Sequence, residues 1–343
     1  MSDFAQTGLI TTLQRLNETH LDELEARLVA MADAHPIALV LPCHARELES
    51  PALGHILAEL AGARWLGEIV VSMNGLDAAG FARAKEVFRP LPQLTRVLWN
   101  DDTIPSTVSL PKVGKGANVA AAFRLVCAEG RAALLATQDC DVASFRRGDL
   151  ARLCYPVARL GFRYAKAYYP RVTDRLYGRV TRLFLAPLLH ACVRVAGHQP
   201  LLDFLLSFRY PLAGEVAMTR EVAASLPIAG GYALEVGQLC EVFRHLDPRE
   251  VCQVGGGPGY DHRHQPATTA LATMAGEIAG ELFRQLTSEG LPATAEFRAA
   301  IAAAYRKEAS LAVRRSAALA EMNGLPFDEA AEQSAITAFA EQV

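Results

Sequence analysis

The chain has 343 residues, 51% of them hydrophobic and 21% charged, with a formal net charge of −3. That length allows a large buried core in one or two domains, and the near-neutral balance excludes any general electrostatic argument for nucleic acid or an anionic membrane surface. Seven scattered cysteines with no Cys-x-x-Cys pair suit neither a disulfide framework nor a zinc site, so reduced thiols in a cytoplasmic protein are expected. The opening MSDFAQTGLITTLQ lacks the basic start and apolar run of a signal peptide. No uninterrupted apolar stretch of about 18 residues occurs, so no membrane span is predicted.

Taken in order, residues 1–35 read as helical, with Leu21, Leu24, Leu28 and Met31 at helical spacing. Residues 37–42 (IALVLP) form a continuous apolar run too short for a helix, which suits a buried parallel strand. Ser50 and Pro51 open a helix to about residue 63. Residues 68–72 are the next strand, 77–88 a helix, and 95–99 a third strand. A polar loop over 100–116 leads to a helix over 117–127 and then to the apolar strand at 132. This alternation predicts a doubly wound parallel sheet for the first half. Beyond it, residues 145–160 read as helix and 163–171 (RYAKAYYPR) as an aromatic strand. Residues 178–195 read as a long helix interrupted near Pro187. Strands are expected over 211–218 and 251–254, around a helix over 234–245. From residue 268 the chain is alanine-rich and helical, in three pieces broken near 290–292 and 324–326. This tail reads as packing or oligomerisation surface rather than chemistry.

The segment over 132–142, AALLATQDCDV, is where chemistry concentrates. A buried strand ends in Asp139 and Asp141, at the strand end where open α/β sheets hold ligands. Two such carboxylates plus substrate phosphate oxygens suit Mg²⁺, although Asp-x-Asp is also an ordinary solvated turn. In KVGKGAN (112–118), glycines flank Lys115 just before a helix, an arrangement that lets N–H groups and a cation approach phosphate; an exposed basic loop is the alternative. It lacks the spacing of the nucleotide-triphosphatase P-loop. LPCHARE (41–47) lies at the end of the first predicted strand, with His44 and Glu47 as polar anchors or plain loop residues. GRVT (178–181) combines a glycine, a guanidinium and a hydroxyl at a helix start, an anion site in miniature or an ordinary helix beginning. GGYALEVG (230–237) sets Tyr232 and Glu235 at i and i+3. DHRHQP (261–266) places His262 and His264 at i and i+2, where one of them would complete a metal shell or both would serve as structural hydrogen-bonders.

These segments, with Lys166-x-Tyr168-Tyr169 and Pro211-Leu212-x-Gly214-Glu215 between them, come in a familiar order. The series resembles the glucosyl-3-phosphoglycerate synthases, retaining glycosyltransferases of the GT-A fold, from about Ile37 to Pro266. The resemblance implies an α/β GT-A fold over 37–266, split into a nucleotide-sugar half (37–142) and an acceptor half (143–266). A helical segment (1–36) would precede it and a helical extension (267–343) follow it. It implies Mg²⁺ or Mn²⁺ facing Asp139, Asp141 and His262, with Asp141 the more direct of the two carboxylates. Pro42 and Glu47 would line the nucleotide pocket, Ser72 would lie beneath the base or ribose, and Lys115 would reach the diphosphate. Arg179 and Thr181 would hold 3-phosphoglycerate, and Tyr232 and Glu235 would border the sugar. It also implies front-face attack, with the leaving diphosphate taking the acceptor's proton.

Two departures bear on the substrates. His264 stands where the family usually has asparagine, and residues 71–77 replace its aspartate-rich turn. UDP- or GDP-glucose, mannosyl transfer, and glycerate as acceptor therefore all remain open, as does a non-catalytic nucleotide-sugar-binding protein. A dinucleotide oxidoreductase is disfavoured because no Gly-x-Gly-x-x-Gly follows the first predicted strand. A homodimer involving the C-terminal helices is expected.

Overall fold

Residues 37–43 are all buried, and the apolar run there becomes the central strand of the molecule. The computed structural model describes residues 6, 8–17, 20–101, 114–257 and 268–343. In chain order the strands are β1 (Thr11–Leu13), β2 (Ile37–His44), β3 (Leu66–Asn74), β4 (Leu94–Trp99), β5 (Leu134–Thr137), β6 (Tyr164–Tyr168), β7 (Val216–Thr219) and β8 (Val251–Gly255). They form one sheet in the order β1-β8-β6-β7-β5-β2-β3-β4. Every pairing is parallel except those of β7, which runs antiparallel to both β5 and β6. The α/β fold expected from the sequence is present.

Alternation along the strands divides the core. Leu39, Leu41, Ile69, Val71 and Ala136 face one layer, packed by α1 (Leu21–Met31), α2 (Pro51–Ala61), α3 (Ala78–Phe88) and α5 (Arg147–Arg159). Ala38, Val40, Val70, Leu135 and Met218 face the other, with α4 (Lys115–Glu129), α6 (Ala186–Ala196), α7 (Pro200–Leu206) and α9 (Leu234–His245). Helix α8 (Arg220–Ser225) follows β7 directly, with the Thr219 side chain accepting from Val222 N–H.

Pro42 sits inside β2, a position that a fully paired strand would not allow. Val40 accepts from Gln138 N–H, and β5 stops pairing at Thr137. Two residues further on, the missing N–H of Pro42 therefore points past the end of β5. The gap there is the switch point of the sheet, because the chain runs from β2 outward through β3 to β4 and then returns to the other side of β2 as β5. Ligands of open α/β sheets bind at such a point.

The structure corrects the sequence reading in several places. Residues 11–13 are a strand beside β8, not part of a helix, and the N-terminal helix covers only Leu21–Met31, where the leucine spacing lies. The long helix over 178–195 is a π-helical turn (Val180–Leu185) that runs on into α6, with the change of helix type just before Pro187, whose missing N–H leaves a carbonyl of the π-turn without its helical partner. The Tyr305 hydroxyl donates to Leu183 C=O at 2.9 Å within that turn. The strand expected over 211–218 narrows to Val216–Thr219.

The C-terminal chain forms three helices, α10 (Thr268–Ser288), α11 (Ala295–Met322) and α12 (Glu329–Ala340), broken where the glycines and prolines predicted. They belong to the same hydrophobic core as the sheet. Ile278 and Leu282 of α10, Ile301 and Tyr305 of α11 and Phe339 of α12 are buried in it, and Phe339 lies 5.4 Å from Phe184, centroid to centroid. Phe339→Ala is therefore expected to lower unfolding stability by about 3–5 kcal/mol, read as a lower midpoint in urea.

Candidate active site

Strand β5 carries the chain to the switch point. The Thr137 hydroxyl donates to Gly214 C=O at 2.6 Å and so clamps the end of β5 to the segment before β7. The chain then leaves the sheet and turns through Cys140 and Asp141, which leaves Asp139 and Asp141 half-buried at the mouth. Lys115, the first residue of α4, lies 2.7 Å from Asp139 Oδ1 and 2.9 Å from Glu235 Oε1. Glu235 stands in the first turn of α9, where the helix dipole favours negative charge. Burial works against the Lys115 charge, but Asp139 and Glu235 outweigh it and hold its pKa well above the usual lysine value.

Two glycines make this approach possible. A Cβ on Gly214 would meet Lys115 Nζ and lie 2.7 Å from Asp139 Oδ2. A Cβ on Gly116 would strike Ala229 C=O, so Gly116 lets the start of α4 pack against the loop leading to Glu235.

Beneath the mouth lies a second set of charges to which sequence reasoning gave no role. Lys166 is fully buried and donates to Ala213 C=O at 2.6 Å. Burial lowers its pKa to about 8, against the attraction of Glu235 and Glu215. Glu215 is also buried; it accepts from the Tyr169 hydroxyl at 2.6 Å and from Gln138 Nε2 at 3.4 Å. A lysine in the middle of an aromatic strand was the available signal, since a strand residue at that register must face a core. Four carboxylates (Asp139, Asp141, Glu215 and Glu235) against two ammonium groups leave negative charge that a divalent cation would offset. Lys115 holds Asp139, and Asp141 stands two residues further on at the same mouth. Two carboxylates completed by substrate phosphates fit Mg²⁺ or Mn²⁺. Among the described residues no group of three or more His, Cys, Asp or Glu forms a metal cage, and His262 and His264 lie outside those residues.

The residues expected on the nucleotide side lie at or just beyond the ends of β2 and β3. Pro42 is at the gap in β2, and Glu47 is buried in the 3₁₀ turn Ala45–Glu49 with Arg46 Nε at 2.9 Å. His44 caps that turn by accepting from Arg46 N–H, a local structural task. An open cleft follows, lined by Arg46, Glu49, Leu76, Asp77 and Arg83. Ser72, expected beneath the base or ribose, lies near the end of β3. It is fully buried, and its hydroxyl donates to Asn118 C=O at 2.7 Å and accepts from Asn100 Nδ2 at 2.8 Å. Asn118 also donates to Asn74 Oδ1 at 2.9 Å. Ser72 thus braces β3, β4 and α4 beneath the cleft rather than facing it. Of the basic loop before α4, residues 102–113 lie outside the described residues.

The residues expected on the acceptor side, Arg179 and Thr181, sit on the loop and π-turn after β6. Arg179 donates through Nε to Glu332 of α12 at 2.8 Å. Tyr210 lies beside Thr181 and Arg171 and packs edge-on against Tyr169 at 5.0 Å. Through Tyr169 this side joins Glu215 and the Asp139 strand end. Tyr232 is 40% exposed, and its N–H donates to Glu277 of α10 at 2.8 Å. The structure therefore brings Lys115, Asp139 and Glu235 into direct contact and links Thr181 to them through side chains.

No family model matches the chain. The glucosyl-3-phosphoglycerate synthase of Persephonella marina is 36% identical over 99% of this chain and 88% of its own length. The glucosyl-3-phosphoglycerate synthase of Mycobacterium tuberculosis, crystallised with Mn²⁺, UDP-glucose and phosphoglyceric acid, superimposes with a TM-score of 0.63 at 24% identity, covering 83% of this chain and 89% of that one. A crystal of the same enzyme with Mg²⁺ and UDP gives 0.62 at 25% identity, with the same coverage.

Proposed function

The chain belongs to the glucosyl-3-phosphoglycerate synthase family, glycosyltransferases of the GT-A fold, and from that premise we propose that it transfers glucose from UDP-glucose to 3-phosphoglycerate with Mg²⁺ or Mn²⁺ bound. The observation that carries this reading is the contact of Lys115 with both Asp139 and Glu235 at the switch point of the sheet, beside Asp141. The uridine donor is preferred over GDP-glucose because the solved relatives that share this fold hold UDP or UDP-glucose.

In this reading Asp141, supported by Asp139 and the proposed third ligand His262, holds the cation. The bound cation supplies charge that offsets the negative charge growing on the leaving diphosphate. Lys115 orients Asp139 and offers its ammonium to the phosphate oxygens at the start of α4. Pro42, Glu47 and the cleft beyond them hold the nucleoside, and Ser72 fixes the floor of that cleft. Glu235 and Tyr232 border the glucose, with Glu235 accepting from sugar hydroxyls. Arg179, Thr181 and His264 bind the phosphate and carboxylate of the acceptor. The acceptor hydroxyl then bonds to the anomeric carbon from the face that the diphosphate leaves. The anomeric C–O bond to UDP breaks, and the hydroxyl proton passes to a released phosphate oxygen. Configuration is retained without a covalent enzyme intermediate.

The test is a matrix of UDP-glucose, GDP-glucose and GDP-mannose against 3-phosphoglycerate or glycerate, with metal or with chelator, following nucleoside diphosphate release. Metal-dependent release from UDP-glucose that requires 3-phosphoglycerate is expected. Release only from a GDP donor, or with glycerate alone, would overturn the substrate assignment.

We also propose a cytoplasmic homodimer, with Leu319 and Met322, exposed near the end of α11, in the surface between copies. Light scattering is expected to give twice the chain mass, and a monomer mass would contradict it.

A further inference from the structure

We propose that Glu332 is a positioning residue of the acceptor site, so that the C-terminal helix α12 helps to recognise the acceptor's anionic group. This rests on the proposed acceptor role of Arg179.

Glu332 is 4% exposed and lies between two guanidinium groups, with Oε1 2.8 Å from Arg179 Nε and Oε2 2.5 Å from Arg182 Nη1. The two arginines are not alike. Arg182 is an anchor: it also donates to Tyr177 C=O at 3.1 Å, to Leu176 C=O at 3.5 Å and to Ser316 Oγ of α11 at 3.0 Å. Those bonds tie the loop before the π-turn to the C-terminal helices. Arg179 has Glu332 as its one hydrogen-bond partner among the described residues, and a third of its side chain is exposed.

Holding the Nε edge leaves the Nη edge of the guanidinium for a ligand. A planar guanidinium binds carboxylate or phosphate through paired N–H groups, and its worth depends on being held in one orientation. The long arginine side chain loses rotamer freedom when it binds an anion, and a partner that has already fixed it removes much of that loss. One carboxylate between two guanidinium groups also leaves net positive charge at the site, so Glu332 orients Arg179 without cancelling its attraction for an anion.

Charge and orientation predict opposite outcomes for Glu332→Gln. If charge alone governed, removing a carboxylate would tighten binding of an anionic acceptor. If orientation governs, binding weakens, because a glutamine amide must turn its NH2 group toward one of the two guanidinium groups and no longer faces both with an oxygen.

The experiment is steady-state kinetics of the full chain with UDP-glucose and 3-phosphoglycerate. Glu332→Gln is expected to raise the KM for 3-phosphoglycerate about ten-fold, with kcat and the KM for UDP-glucose within about two-fold. An unchanged or lowered acceptor KM would overturn the proposal, as would a loss shared by kcat and both KM values alongside a lower Tm, the mark of a merely structural contact. Glu332→Asp keeps the charge but withdraws it by one methylene; it is expected to raise the acceptor KM in the same selective way, and it serves if the glutamine variant does not fold. Arg179→Lys separates the two claims. An unchanged acceptor KM there would overturn the acceptor role of Arg179 itself. A raised KM in Arg179→Lys with none in the Glu332 variants would overturn the positioning role alone.

Discussion

Asp141→Ala is expected to lower kcat by about a thousand-fold, the scale of losing a principal stabiliser of transition-state charge. Asp139 does not replace it, because the Lys115 ammonium already engages both of its oxygens, at 2.7 and 2.9 Å. Asp141 lies half-buried in a turn beyond the end of β5, so the variant is expected to fold with a Tm near that of the parent. Metal titration followed by nucleoside diphosphate release checks it. Wild-type activity with unchanged metal dependence would remove Asp141 from the metal site.

Gly214→Ala is the second large effect. Its Cβ has no room beside Lys115 Nζ and Asp139 Oδ2, and neither group retreats easily. Lys115 is also bonded to Glu235, and the Gly214 backbone is held by the Thr137 hydroxyl and, one residue earlier, by Lys166. The pair must move by a distance on the scale of an ångström, a displacement that costs about a hundred-fold in rate when it falls on positioned groups. Turnover is expected to fall by that order, while stability falls only modestly. Turnover like that of the parent would mean that the contact between Lys115 and Asp139 is not needed for the reaction.

Both effects arise at residues of unequal legibility. Asp139 and Asp141 could be placed at the end of a buried strand from the apolar run before them, as the run at 37–42 announced its own burial, but Asp-x-Asp is also an ordinary solvated turn and only the resemblance gave the pair a role. Gly214 was readable only as a member of a resemblance. Its reason, the closeness of Lys115 and Asp139 to its Cα, joins segments far apart in the chain and leaves no local trace. The strand at Thr11–Leu13 was missed because three residues show no period of their own, and it exists only through its pairing with β8. The antiparallel direction of β7 is likewise set by where α6 and α7 deliver the chain, which no local pattern encodes. Ser72 was placed near the end of a strand, but what its side chain meets there was not legible. Its hydroxyl answers to Asn100 and Asn118, two asparagines from other elements. The helical tail was read in three correct pieces. That α12 would return to place Glu332 against Arg179, 153 positions earlier in the chain, was beyond any reading of the tail alone.

The measurement that tests the account most directly is proton NMR of the purified reaction product from UDP-glucose and 3-phosphoglycerate with Mg²⁺. A single glucoside of 3-phosphoglycerate is expected, with the α-anomeric signal of the donor retained and no product when metal is chelated. A β-glucoside, or donor consumed only to free glucose and UDP, would contradict it.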